Sequence, residues 1–192
     1  MADDPYVYPG TDVLRNRLDL RDAADLADRE AAISAIRIAQ LERRRIPGGY
    51  DLAHLQATHR VIFGDVYPWA GELRTVRISK GGDLFALPEH IEPYLRRLLA
   101  DLAREGLLRG LGRERFVERL AHYYAELNAV HPFREGNGRA QRAFLGQLAE
   151  AADHPIAWMR LDAERNIHVA RESHRGGDSA LREMLRDLLR RP

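Results

Sequence analysis

A stretch of twelve residues from His131 to Arg142, HPFREGNGRAQR, lies between two segments with helical apolar spacing and requires a tight turn between them. Pro132 cannot continue a helix. Gly136 and Gly138 permit backbone conformations that other residues avoid. Any fold for this chain must therefore bring the end of one helix and the start of the next together around one loop.

Pro residues and paired Gly residues divide the rest of the chain into further helical segments. In the first of these, Leu26, Ile33, Ile36 and Leu41 are spaced to form a buried face. Asp51 is placed to cap the second helix, which has Leu52, Leu55, His59 and Ile62 at helical spacing. Helices are predicted at 22–44, from 52, and at 88–105, 113–130, 137–151, 162–173 and 178–189.

One segment departs from the helical pattern. Residues 73–79 (LRTVRIS) alternate apolar and polar side chains, KGGD at 80–83 predicts a turn, and residues 84–86 can return alongside. This pattern indicates a short β-hairpin. We therefore predict an all-α fold, a single domain over 1–192 with one short hairpin. Its core spans about 52–189, and an N-terminal arm and helix (1–51) pack on it.

Composition excludes several classes of function. The 192 residues include 30 basic and 29 acidic side chains, so no overall charge attracts nucleic acid. The absence of cysteine excludes disulfides, thiolate-ligated zinc and a thiol nucleophile. No apolar run approaches membrane-spanning length, and the N-terminus shows no signal-peptide pattern. These observations predict a cytoplasmic protein with neither nucleic acid nor membrane as partner. Lys80 is its only lysine.

The loop contains residue types suited to phosphate chemistry. A helix that begins at Asn137 would direct its first N–H groups into the loop and attract an anion. Arg139 and Arg142, three residues apart on that helix, can bind two phosphate groups. Glu135 is a carboxylate that can coordinate Mg²⁺ bound to those phosphates. His131 can accept a proton from a hydroxyl near neutral pH. The segment therefore predicts attack of a hydroxyl on a phosphate of a nucleoside triphosphate.

The same twelve residues resemble the signature of the Fic family, H-x-F-x-(D/E)-G-N-G-R-x-x-R, and fill every defined position. The similarity extends to AELNAVHPF, which runs into the signature, and to YPWAGELRTVRISKGGDLFA at residues 67–86. It covers roughly residues 52–189.

The resemblance implies an enzyme that transfers AMP from ATP to a Ser, Thr or Tyr hydroxyl of a target protein and releases pyrophosphate. Mg²⁺ would be its cofactor, His131 its general base and Glu135 its metal ligand. The nucleotide phosphates would be held by Gly136, Asn137, Gly138, Arg139 and Arg142. The hairpin would be a flap that docks the target as an added strand. Its docking residues would be Ile78, Ser79, Lys80, Gly82, Asp83 and Phe85. We further place Lys80 and Gly81 beside the nucleotide.

Members of the family are often inhibited by a helix bearing (S/T)-x-x-x-E-(G/N), whose glutamate pairs with the second arginine of the signature. Among the serines and threonines here, only Ser179 has a glutamate four residues later, and Met184 follows that Glu183. We therefore predict a toxin restrained by a small antitoxin that supplies the helix in trans. Inhibition within the chain through Glu183 remains the alternative.

Other chemistries of the family also remain open: transfer of UMP or phosphocholine, removal of AMP, and the phosphate transfer of its Doc branch. A nucleotide-binding interaction domain without catalysis is the second alternative. The intact residues 135–139 favour AMP transfer over the Doc reaction, and His131 and both arginines favour an enzyme.

Overall fold

The computed structural model describes residues 4–80, 83–174 and 176–190. This part of the chain folds into helices, and the predicted all-α class is confirmed. The helices are α1 (Ala23–Arg43), α2 (Leu52–Phe63), α3 (Pro88–Arg104), α4 (Arg113–Val130), α5 (Asn137–Ala151), α6 (Ala163–His174) and α7 (Ser179–Leu188). Single 3₁₀ turns lie at Gly106–Leu108 and Trp158–Arg160.

Local capping fixes where the first helices begin. The Asp22 carboxylate accepts hydrogen bonds from the N–H groups of Ala24 and Asp25 at the start of α1. Asp51 does the same for the N–H of His54 in α2. A side-chain oxygen at this position satisfies a donor that has no partner within the helix. Both helices therefore begin where the sequence predicts.

The hairpin predicted over residues 73–86 is not seen at that length. Residues 73–78 form no strand, and pairing is limited to β1 (Ser79–Lys80) and β2 (Asp83–Leu84), in the register Ser79↔Leu84 and Lys80↔Asp83. The backbone donors of the alternating segment have other acceptors. The N–H of Arg74 donates to the carbonyl of Pro132 (2.9 Å), and that of Thr75 donates to the Tyr6 hydroxyl (3.1 Å). Long-range contacts therefore override the alternating pattern.

Two apolar clusters form the interior. The larger one gathers side chains of α3, α4, α5 and α7, including Leu95, Leu127, Phe144 and Leu185. The smaller one joins the N-terminal arm, α1 and α2 through Tyr6, Leu26, Ile62, Phe63 and Trp69. The loop between α4 and α5, residues 131–136, is called the motif loop. It runs between the two clusters, with Phe133 in the larger one.

The buried face predicted for α1 is partly wrong. Leu26 and Leu41 are buried, but 60% of Ile36 is exposed. Polar Glu30 and Ser34 lie on the buried face instead. Within the described residues, no helix is long and apolar enough to cross a membrane.

Candidate active site

His131 lies where α4 ends. Its backbone is left-handed (φ 49°), and its N–H still closes the last turn on the carbonyl of Leu127. The Nδ1 atom is 3.2 Å from the Asn128 carbonyl oxygen. Because a carbonyl only accepts, we assign the proton to Nδ1, which leaves the lone pair on Nε2. The ring stacks on Phe85 with centroids 3.9 Å apart, so the predicted flap and the predicted base are in contact.

The buried Arg74 joins the flap segment to this helix end. Its Nε donates to the His131 carbonyl (2.7 Å), and its Nη2 donates to the carbonyls of Val130 (3.1 Å) and Ala86 (2.6 Å). Burial lowers the pKa of Arg74, although a guanidinium stays charged in proteins. The positive charge faces the negative end of the α4 dipole, which is favourable. The pattern of the sequence alone did not identify Arg74 as part of the site.

The loop after His131 closes on itself. The side-chain amide of Asn137 accepts from the N–H of Phe133 and donates to its carbonyl, each at 2.8 Å. Only 3% of Asn137 is exposed, so its amide holds the loop shut in this structure. Gly136 has φ +76°, and a Cβ there would lie 2.3 Å from Phe63 Cζ. Any larger residue at 136 would displace the loop from α2.

The helix after this loop begins with an open end. No side chain caps α5 among the described residues, and Gly136 occupies the capping position. The N–H of Gly136 itself bonds the Glu135 carboxylate at 2.8 Å. Uncapped N–H groups at a helix start form an anion site in the absence of another acceptor. The loop that follows His131 thus ends in positive partial charge at the start of α5.

His59 of α2 contacts the loop through Glu135 and Phe133. Its Nδ1 accepts from the N–H of Gly71 (2.9 Å), which places the proton on Nε2, 2.9 Å from the Glu135 carbonyl. Its ring also stacks on Phe133 with centroids 3.9 Å apart. Burial lowers the pKa of His59 to about 4. The sequence places His59 at helical spacing with Leu52, Leu55 and Ile62, and the residue is buried. The spacing does not indicate its bond to the loop.

The two arginines of the motif have different surroundings. Arg139 pairs with Glu30 of α1, donates to the Ser34 hydroxyl (3.0 Å), and lies over the Phe63 ring (4.8 Å). Arg142 lies near the Tyr124 hydroxyl. Burial raises the pKa of that phenol, and Arg142 opposes the rise. The sequence predicts that both arginines project from the first turn of α5. Among the residues that the structure describes, a buried anionic partner is found for Arg139 but not for Arg142.

A cavity of about 350 Å³ begins beside these arginines. It follows one face of α5, with α1 and residues 155–159 as its other walls. Its lining includes Ile38, Leu41, Arg139, Arg142, Gly146 and Trp158.

Glu135 fits the chemistry of a magnesium ligand. Its side chain is 46% exposed, and one carboxylate oxygen lies 3.8 Å from Arg139 Nη2. No group of three or more His, Cys, Asp or Glu side chains able to hold a metal is found within the described residues. Mg²⁺ commonly takes one or two carboxylates and completes its shell with phosphate oxygens and water. One carboxylate beside a phosphate site is therefore a suitable donor set.

The flap residues are only partly covered by the structure. Ile78 and Phe85 are half-buried, and Ser79 is exposed. Gly81 and Gly82, predicted for nucleotide and target binding, lie outside the described residues. The side chains of Lys80 and Asp83 also lie outside the described part, so their predicted contacts remain predictions.

Residues 49–149 match the model of the Fic/DOC family. The chain belongs to this family. Over 93% of its length it is 44% identical to "Probable protein adenylyltransferase Fic" of Salmonella typhimurium, 88% of which is covered. It is 42% identical over 96% of its length to "Protein adenylyltransferase VbhT" of Bartonella schoenbuchensis and spans 39% of that longer protein.

A solved structure of a family member is also similar. The BepC protein of Bartonella tribocorum with bound AMPPNP superposes with a TM-score of 0.90 and 25% identity, over 97% of either chain. The similarity therefore extends beyond the matched segment to α1, α6 and α7.

Proposed function

We propose that this chain is a protein adenylyltransferase, which transfers AMP from ATP to a Ser, Thr or Tyr hydroxyl of a target protein and releases pyrophosphate. One observation carries the proposal: the loop that begins at His131 ends at the uncapped start of α5. A proton acceptor and an anion site thus stand at the two ends of one short loop. The names of the two relatives and the nucleotide in the BepC structure support the choice of reaction and substrate.

In the proposed reaction, His131 Nε2 accepts the proton of the target hydroxyl as its oxygen attacks the α-phosphorus. The bond from the α-phosphorus to the bridging oxygen breaks, and pyrophosphate leaves with the electron pair. The N–H groups at the start of α5 and the guanidinium groups of Arg139 and Arg142 would hold the phosphates. Mg²⁺ held by Glu135 would supply neutralisation of phosphate charge when bound.

Three further residues would position His131 and the flap without touching the substrate. The Asn128 carbonyl keeps the proton on Nδ1 of His131, and Phe85 covers the face of the ring. Arg74 joins Ala86, at the base of the flap, to the His131 carbonyl, because its guanidinium donates to the carbonyl oxygens of both residues. A base already held in the required tautomer needs no reorganisation before it accepts a proton. The flap at 78–85 would bind an extended target segment by strand addition.

The mass added to a modified protein distinguishes the candidate chemistries. The purified chain would be incubated with a cell lysate, Mg²⁺ and ATP, UTP or CDP-choline, and labelled proteins would be analysed by mass spectrometry. The mass of an AMP group on a hydroxyl side chain is expected. Addition of UMP, phosphocholine or a single phosphate would assign one of the other reactions. Nucleotide binding without any modification would support an interaction domain.

We also propose that a small antitoxin restrains the enzyme by supplying a helix with the (S/T)-x-x-x-E-(G/N) pattern. The cavity beside Arg142 supports this assignment. Its walls include Ile38 and Leu41, suited to the apolar face of a helix, and Arg142 is suited to a glutamate. A glutamate there would compete with phosphate for the same guanidinium. The cytoplasmic location remains a prediction from the sequence.

A further inference from the structure

Glu30 is a buried carboxylate that belongs to the site although it lies far from the motif in sequence. It is on α1, outside the residues 49–149 that match the family model. Its side chain is 9% exposed and pairs with Arg139 Nη2. Its other oxygen accepts a hydrogen bond from the Tyr67 hydroxyl. The carboxylate is thus satisfied by one charged and one neutral donor.

The contacts of Arg139 show how completely α1 fixes its guanidinium. Nη2 bonds Glu30, Nη1 donates to the Ser34 hydroxyl at 3.0 Å, and the plane lies over the Phe63 ring at 4.8 Å. A guanidinium carries five N–H donors in a rigid fork, so two bonds to one helix set the direction of the others. The Arg139 side chain keeps 26% of its surface exposed and lines the cavity shared with Arg142.

We propose that Glu30 is a positioning residue that holds Arg139 ready for the nucleotide phosphates and makes α1 part of the nucleotide site. The inference rests on the proposed function, because it assigns phosphates as the ligand of Arg139. A competing role, in which Glu30 blocks the phosphates, would require the pair to separate. Separation would leave a buried carboxylate without its charged partner, which is strongly unfavourable. The exposed edge of the Arg139 guanidinium can bind phosphate while the pair with Glu30 stays intact.

The test compares Glu30→Gln with the unmodified chain. ATP affinity would be measured by calorimetry, and kcat and KM by AMP transfer. Without the charged partner the guanidinium loses its fixed orientation, so we expect ATP affinity to fall about tenfold, with KM for ATP raised accordingly. Asp28→Asn removes the same charge from an exposed position of α1 and should leave both values unchanged.

A double-mutant cycle separates positioning from general stabilisation. If Glu30 acts through Arg139, Glu30→Gln should cost little further affinity once Arg139→Gln is present. Independent, additive losses would overturn the proposal, as would a gain of affinity in Glu30→Gln, which would mean that Glu30 competes with phosphate. If Glu30→Gln does not fold, Tyr67→Phe removes the second donor to Glu30 and should weaken ATP binding in the same direction.

The affinity measurement distinguishes failure of this inference from failure of the proposed function. Unchanged affinity in a folded Glu30→Gln variant overturns only the role of Glu30. If the unmodified chain binds ATP without transferring AMP, the proposed reaction is wrong and the affinity arm still decides the role of Glu30. If the unmodified chain binds no nucleotide, both proposals are wrong.

Discussion

His59 holds the motif loop only while its ring is neutral. Its Nδ1 must accept from the N–H of Gly71 as its Nε2 donates to the Glu135 carbonyl. Protonation of Nδ1 would place two donors against each other and put an uncompensated charge in the interior. The loop geometry at Glu135 therefore depends on a group that is not expected to touch the substrate.

The lowered pKa of His59 predicts a loss of stability in acid. The folded pKa of about 4 is below the ordinary 6.5, so between these values the unfolded chain binds more protons. Stability from this residue is fully present above about pH 6.5 and is lost as the pH falls towards 4, by about 3 kcal/mol. Denaturant unfolding across this range measures the slope.

His59→Asn, which cannot titrate, is the comparison for this prediction. It should be less stable at neutral pH but should lose less stability on acidification than the unmodified chain. Burial also lowers the pKa of His54, so that residue contributes in the same direction in both proteins. An identical pH slope in the two proteins would show that His59 is not the group responsible.

At the scale of elements, the flap base and the end of α4 depend on Arg74. Its guanidinium and backbone serve carbonyls from three places in the chain: Val76 and Ala86 near the hairpin, and the helix end at residues 130–132. A single ammonium cannot reach acceptors placed around a planar fork. Arg74 is therefore expected to stabilise the fold and to position the flap.

Arg74→Lys should lower the free energy of unfolding by roughly 3 kcal/mol and make residues 73–86 exchange amide hydrogens faster. Arg77→Lys is the matched control, because Arg77 is an exposed arginine of the same segment. Its effect on unfolding should be within about 0.5 kcal/mol. Equal stability of Arg74→Lys and the unmodified chain would contradict the assigned role.

Helices were predictable from the sequence, whereas the extent of the hairpin was not. The starts of α1 and α2 follow from Asp22 and Asp51, whose capping bonds reach only two or three residues along the chain. Residues 73–78 have the alternation of a strand, but the N–H groups of Arg74 and Thr75 bond to Pro132 and Tyr6. An alternation of apolar and polar residues cannot indicate hydrogen-bond partners that are distant in sequence.

In the site, too, the residues within one short segment were predictable and those distant in sequence were not. His131, Glu135 and both arginines fall within one segment and could be predicted from its spacing. Glu30, His59 and Arg74 contact that segment from 109, 76 and 57 positions away. One signal was available for Glu30: it shares the apolar stripe of α1 with Leu26 and Leu41. A carboxylate in such a stripe requires a buried partner.

At the scale of the whole molecule, the position of Glu183 bears on regulation. Glu183 is exposed on α7, which packs against α4 and α6. No ion pair joins it to Arg142 within the part of the chain that the structure describes. The exposed position of Glu183 therefore gives no support to inhibition within the chain through this residue.

Glu183→Gly is therefore expected to leave the AMP-transfer rate of the isolated chain within about twofold, because removal of an exposed charge has little effect. The rate would be measured with saturating ATP. In cells, expression of the unmodified chain should slow growth, and expression of His131→Ala should not. A strong rise in activity in Glu183→Gly would instead establish inhibition by the C-terminal helix.

In the proposed reaction, His131 directs a hydroxyl of the target to the α-phosphorus of ATP. The most direct test uses ATP labelled with ³²P at either the α or the γ position, incubated with the chain, Mg²⁺ and a cell lysate. We expect protein labelling from the α position only, lowered by a factor on the order of 10² to 10⁴ in His131→Ala. Labelling from the γ position, or undiminished labelling in that variant, would contradict the proposed reaction.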